Sequence, residues 1–182
     1  MIDDIVKAAM AKWPNVPDCF GWLGLDARGQ WWMRDDAAQR SGPFAGAGAS
    51  SVSKGSLLKH DKLIEFINRN YGTDEQGRWF FQNGPQRVFV ELEVAPWIWR
   101  VQVDFSLQSH TGRSAEVLSV HVDENGRLFV VTDLGLGLVP SQDMHLAAEA
   151  VEKGVWAPSE CVYEELLSRQ RCVLSPASKA QT

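Results

Sequence analysis

Three stretches decide how this chain is read: Leu25-Asp26-Ala27-Arg28-Gly29-Gln30-Trp31-Trp32, Thr73-Asp74-Glu75-Gln76-Gly77-Arg78-Trp79-Phe80 and Val122-Asp123-Glu124-Asn125-Gly126-Arg127-Leu128-Phe129. They share Asp-x-x-Gly, then Arg or Gln, then Trp or Leu, then an aromatic residue. Their aspartates fall at 26, 74 and 123, spaced by 48 and 49 residues. An Asp that opens a type I turn accepts hydrogen bonds from the backbone ahead of it. A glycine three residues on supplies the positive φ that closes the turn as a bulge. Apolar and aromatic residues on both sides supply two strands. Each stretch therefore predicts a β-hairpin tip, with its acid and glycine serving backbone geometry. Calcium-loop motifs need more oxygen ligands at fixed positions and do not fit. Three such units are too few for a propeller.

Working outward, Ile2, Ile5, Val6, Ala9, Met10 and Trp13 recur at helical spacing and predict a helix over 2–13, ended by Pro14 and Pro17. Strands are expected at 19–26 and 30–34. The stretch 36–56 is rich in Gly, Ala and Ser and reads as a flexible loop. Leu63, Ile64, Phe66 and Ile67 predict a helix over 60–70, with Gly72 as its C-cap. A hairpin follows through Arg78–Gln82, Asn83-Gly84-Pro85 and Gln86–Val94, then a strand from Trp97 to Phe105. The third hairpin covers 116–132, with a turn at Gly135-Leu136-Gly137. Helices are expected at 142–152, capped by Ser141, and at 159–170. The tail from Ser175 to Thr182 is expected to be disordered. This order predicts an α+β fold of antiparallel, curled or partly closed β-sheets, with packing helices and a helical C-terminus. It divides into segments 1–72, 73–140 and 141–182 of one compact unit.

The chain has 182 residues and a formal net charge of −5, so it can bury a sizeable core without disulfides or metal. Its charge argues against nucleic acid as a partner. The three cysteines, Cys19, Cys161 and Cys172, form no CxxC pair and read as free thiols of a reducing compartment. With no signal peptide and no apolar span, the reading is cytoplasmic, with no membrane partner. His60, His110, His121 and His145 form no ligand spacing, so no metal and no cofactor is expected. No nucleophile elbow or phosphate loop occurs.

The most informative polar residues surround the second tip. Arg69 ends a helix, Asn83, Gln86 and Arg87 lie at a strand junction, and Trp97 lies at the next bend. Arginine forks, amides and an indole face suit a small anionic or planar ligand. The alternative is structural: Arg69 capping helix carbonyls and pairing with Glu91 or Glu93, the amides satisfying turn backbone.

The run from Leu63-Ile64-Glu65-Phe66-Ile67-Asn68-Arg69-Asn70-Tyr71 through Gly77-Arg78-Trp79-Phe80-Phe81-Gln82-Asn83-Gly84-Pro85-Gln86-Arg87-Val88 to Ala95-Pro96-Trp97 resembles an uncharacterised proteobacterial family of unknown function. The layout is also similar to the DUF1285 family, with Trp31, Leu63, Trp79, Pro96 and Trp97 in matching order. That resemblance implies a duplicated hairpin–helix architecture, a C-terminal part like a pleckstrin-homology fold, and a small-ligand or signalling role. The long 36–56 loop and the helices after Ser141 depart from it. A non-enzymatic ligand-binding or signalling module ranks first. A protein-interaction or scaffold protein ranks second, with self-association left open. An enzyme using Asp104, His110 or His121 as acid or base ranks third.

Overall fold

A computed structural model describes residues 2–180. In chain order the elements are α1 (Asp4–Lys12), β1 (Cys19–Leu25), β2 (Trp31–Met33), α2 (Asp36–Ser41), α3 (Ser51–Lys54), β3 (Ser56–Leu57) and α4 (Asp61–Arg69). Then come β4 (Tyr71–Thr73), β5 (Trp79–Asn83), β6 (Gln86–Leu92), β7 (Trp97–Val101), β8 (Leu107–Ser109) and β9 (Ser114–Ala115). The chain continues through β10 (Val117–Val122), β11 (Leu128–Thr132), β12 (Gly135–Leu138), a 3-10 turn (Ser141–Asp143), α5 (Met144–Glu152), β13 (Ser159–Glu160), α6 (Tyr163–Arg169) and α7 (Pro176–Ala180). The fold is α+β with curled sheets.

The chain forms two compact units. Among the described residues, unit 1 comprises 2–26, 30–93 and 173–180; unit 2 comprises 27–29 and 94–172. The segment boundaries at 72/73 and 140/141 each fall inside a unit. Both sheets are mixed. The unit 1 sheet runs β3-β2-β1-β6-β5-β4, and its hairpins are joined by a parallel β1/β6 pair that sets Leu25 beside Leu92. The unit 2 sheet runs β13-β10-β11-β12-β7-β8-β9, with parallel pairs β12/β7 and β10/β13.

All three Asp-x-x-Gly tetrads are hairpin tips with one hydrogen-bonding scheme. Asp26, Asp74 and Asp123 each donate their backbone N–H to the carbonyl four residues on, at 3.0 Å. Each carboxylate in return accepts the N–H of that residue, at 2.8, 3.0 and 2.8 Å. Gly29, Gly77 and Gly126 sit at φ 83°, 79° and 78°. The second carboxylate oxygen takes a side-chain donor in every case: the Trp32 indole, Arg78 Nε and Arg127 Nε.

Aromatic residues hold unit 1 together. Phe20 stacks on Phe89 at 4.7 Å, and Tyr71 touches both Trp31 and Trp79. The Trp31 indole donates to Asn68 of α4. In unit 2 a core cluster contains Val94, Ala95, Ile98, Phe129, Val131, Leu136, Leu138 and Leu166. Trp97 and Trp99 lie stacked at 6.0 Å, their indoles donating to the carbonyls of Leu134 and Val130. A Cβ on Gly137 would meet Trp99 Nε1 at 2.1 Å, so only glycine lets β12 lie beside that indole.

Several local expectations need correction. The 36–56 stretch is a braced structure. Asp35 and Ser50 cap α2 and α3, and Phe44 is buried. Buried Arg34 donates to the carbonyls of Ser53, Gly21 and Gly42 at 2.8, 2.9 and 2.7 Å. Gly72 lies in β4, because Asn70 already ends α4. The strand beginning at Trp97 stops at Val101, where Gln102–Ser106 turns the chain. Residues 135–138 form strand β12, because they pair with β11 and β7. Ser141 opens a 3-10 turn and caps no helix through its side chain, since the helix start is set by Pro140 and Asp143. The stretch 159–162 is not helical, because Ser159 and Glu160 pair with β10, and α6 starts at Tyr163. The tail is ordered as far as Ala180: buried Glu91 accepts from Ser175 Oγ and from the Ala177 N–H. Residues 181 and 182 lie outside the described residues. Among the described residues, no helix is long and apolar enough to cross a membrane.

Candidate ligand-binding site

Unit 1 contains a groove of about 620 Å³, built where three pieces of chain meet. The end of α1 contributes Met10 and Trp13. The segment Pro14-Asn15-Val16-Pro17-Asp18, whose two prolines prevent helix, forms one wall. Gln82 of β5, Pro85 and Arg87 of β6 form the other. Two side chains tie the walls together. Arg87 donates from Nε and Nη2 to both carboxylate oxygens of Asp18, at 3.0 and 2.9 Å. Gln86 donates to the Pro17 carbonyl at 3.0 Å. The Arg87 guanidinium also lies over the rings of Phe80 and Phe89, which fix its plane.

Gln82 is the unusual member. It is 1% exposed, and its backbone N–H bonds to the Asn70 carbonyl. Its Nε2 donates to the Gly84 carbonyl at 3.1 Å. A carbonyl only accepts, so this bond fixes which end of the amide is nitrogen. The remaining Oε1 is buried and has no protein partner among the described residues. A buried acceptor left unmade costs about 1–3 kcal/mol.

The five residues picked out from sequence are distributed as follows. Arg87 lines the groove and Gln86 braces it. Asn83 ends β5, exposed, and does not line the groove. Arg69 ends α4, where its Nε meets Asp3 Oδ2 at 3.2 Å, so its partner is neither Glu91 nor Glu93. Trp97 belongs to unit 2, buried, with its indole on the Leu134 carbonyl. Sequence reasoning passed over Asp18, Trp13 and Gln82. The signal for the first two was the Pro-x-x-Pro segment beside a helix end. For Gln82 the signal was an amide set in the run Trp79-Phe80-Phe81.

The acid–base candidates are differently placed. Exposed Asp104 accepts from the N–H and Oγ of Ser106, which lower its pKa. His110 is buried, its Nδ1 accepts from the Ile98 N–H at 3.2 Å, and burial pushes its pKa down to about 3. His121 Nε2 lies 2.8 Å from Ser119 Oγ, and burial with the Arg169 charge lowers its pKa. Burial raises all three thiols, Cys172 to about 12. Thiolates are the nucleophilic form, so these are poor nucleophiles. Among the described residues, no cluster of three or more His, Cys, Asp or Glu could hold a metal.

The model of the family DUF2944, described as a protein of unknown function (DUF2946), matches residues 2–181. The chain belongs to this family. Membership agrees with the resemblance carried by the run from Leu63 to Trp97. No curated protein matches the chain. Two solved structures resemble its fold. A DUF1285 family protein from Silicibacter pomeroyi DSS-3 is 12% identical, with a TM-score of 0.47, covering 82% of this chain and 85% of that one. A DUF1285 family protein from Shewanella baltica OS155 is also 12% identical, with a TM-score of 0.45, covering 70% of this chain and 91% of that one.

Proposed function

We propose that this member of the family is a non-enzymatic small-ligand-binding module, with the unit 1 groove as its site. The ligand class is a planar, neutral molecule that carries a hydrogen-bond donor. The observation that carries the reading is the Gln82 carboxamide, whose buried Oε1 lacks a protein partner in the groove wall. When the Gln82 amide turns toward the groove, a ligand N–H supplies the missing donor. Trp13, 50% exposed, offers a flat face for stacking. Asp18 cancels the Arg87 charge through two bonds, so the groove presents no bare cation and favours a neutral ligand over a free anion. We place the protein in a reducing, cytoplasmic compartment, in keeping with its three free cysteines.

The test is a thermal-shift and amide-NMR titration with nicotinamide, adenine and uracil, with inorganic phosphate as the anion control. At least one heterocycle raises the melting temperature and moves the resonances of Trp13, Gln82 and Arg87. Gln82→Met removes that response while the protein stays folded, because the lost Gly84 bond is offset by removal of an unmet acceptor. Flat shifts and unmoved resonances for all three heterocycles overturn the reading.

A further inference from the structure

A second cavity, of about 550 Å³, is lined entirely by unit 2 residues. Two hairpin tips wall it, contributing Arg28 and Arg127. Leu138 and Met144 supply apolar surface, and Ser141 and Gln142 supply short polar groups. No Asp or Glu is among the lining residues.

Arg127 is held in place before any ligand arrives. Its Nε donates to Asp123 Oδ2 at 2.7 Å. Its guanidinium lies 4.4 Å from the centre of the Tyr163 ring and 5.4 Å from that of Phe129. Tyr163 is itself fixed, its hydroxyl donating to the Val94 carbonyl at 2.5 Å. The two terminal nitrogens of Arg127 have no protein partner among the described residues. A planar fork with its orientation set and its two terminal nitrogens left over matches the geometry of a carboxylate. Arg78 provides an internal comparison. It makes the same Nε bond to Asp74, at 2.8 Å, and lies over Phe89 at 4.5 Å, yet is not among the residues that line this cavity.

We propose that the unit 2 cavity binds a small organic carboxylate with an apolar body, the carboxylate on Arg127 and Arg28 and the body against Leu138 and Met144. This goes beyond the groove reading and does not rest on it.

The experiment titrates the intact protein with octanoate, followed by calorimetry and amide NMR. Octanol and inorganic phosphate serve as the two halves of the probe. Octanoate binds saturably with a Kd of about 1 mM or tighter, and shifts the resonances of Arg28, Arg127 and Met144. Octanol and phosphate each bind at least about tenfold more weakly. Arg127→Gln weakens octanoate by about tenfold or more, the loss expected for a charge-assisted hydrogen bond. Arg78→Gln, which removes the same charge from a matching turn, leaves octanoate binding unchanged. Because Arg127 also braces Tyr163, Ser141→Trp is the second variant. It fills the cavity from an exposed position without touching the Asp123 pair, and it abolishes octanoate binding. The proposal is overturned by absence of saturable octanoate binding, by phosphate binding as tightly as octanoate, by equal losses in Arg127→Gln and Arg78→Gln, or by full binding in Ser141→Trp.

Discussion

Asp123 grips Arg127 twice across one hairpin tip: Oδ1 accepts the backbone N–H at 2.8 Å and Oδ2 accepts Nε at 2.7 Å. The same scheme at Asp74 and Arg78 makes the acid a turn-former and a guanidinium-holder at once. At the first tip the fourth residue on is Gln30, and the Trp32 indole takes the place of the missing arginine.

The glycine of each tip makes the turn testable. A Cβ on Gly126 would meet nothing within 4 Å, so Gly126→Ala costs only the φ of 78°, about 1 kcal/mol. A Cβ on Gly29 would meet His110 Cβ at 2.8 Å, so Gly29→Ala costs more. Gly77→Val lowers stability by more than about 1 kcal/mol. Urea denaturation checks all three, and equal midpoints for Gly126→Ala and Gly29→Ala would contradict the steric account.

Phe105 carries the reverse prediction. Gln102 donates to Ser106 and Phe105 donates back to Gln102, which is the tip scheme with phenylalanine in the glycine place, at φ 68°. A bulky residue there is strained by about 1 kcal/mol or more. Phe105→Gly therefore raises the midpoint of urea denaturation, despite the added freedom of the unfolded chain. A lowered midpoint would show that the ring's contacts outweigh the strain.

Arg34 decides whether residues 36–56 are ordered. One guanidinium satisfies three backbone carbonyls from separate turns of chain, and burial lowers its pKa from the usual arginine value. A lysine ammonium is a point donor on a thinner stem and does not span that set. Arg34→Lys is expected to cost about 3 kcal/mol, within the range for breaking a buried charged network. It also opens residues 42–55 to limited proteolysis. Retained protease resistance would mean the helix caps hold this stretch alone.

This stretch also shows where the sequence stops being legible. Its glycines and serines are visible, but Arg34's carbonyl partners at Gly21, Gly42 and Ser53 exist only once the chain has folded back. The Asp-x-x-Gly tips were legible because their bonds are local. Two further turns of the same type, at 102–106 and 109–113, were not. Phe105 replaces the glycine in one, and Ser109 Oγ replaces the carboxylate in the other. The parallel β1/β6 pairing joins Leu25 to Leu92, too far apart for any local pattern to announce. Arg87 was readable as a site residue from its chemistry. Gln82 offered only an amide after an aromatic run, because its burial depends on which strand lies beside it.

His110 sets an acid limit on stability. Burial holds its pKa at about 3, against 6.5 for the free side chain. The unfolded chain takes up a proton as pH falls below about 6.5, while the native imidazole stays neutral until about 3. Its contribution is therefore fully present above 6.5 and is lost on acidification through that window, at up to about 1.4 kcal/mol per pH unit. Burial raises the Glu91 pKa, which works in the opposite sense: native Glu91 holds its proton to higher pH, so its contribution is greatest below the free-glutamate value and falls as pH rises. His110→Asn keeps an acceptor for the Ile98 N–H and removes the titration. Its stability is expected to fall less steeply than that of the parent between pH 6 and 4, measured by urea denaturation at each pH. Parallel curves for the two proteins would show that His110 is not the group responsible.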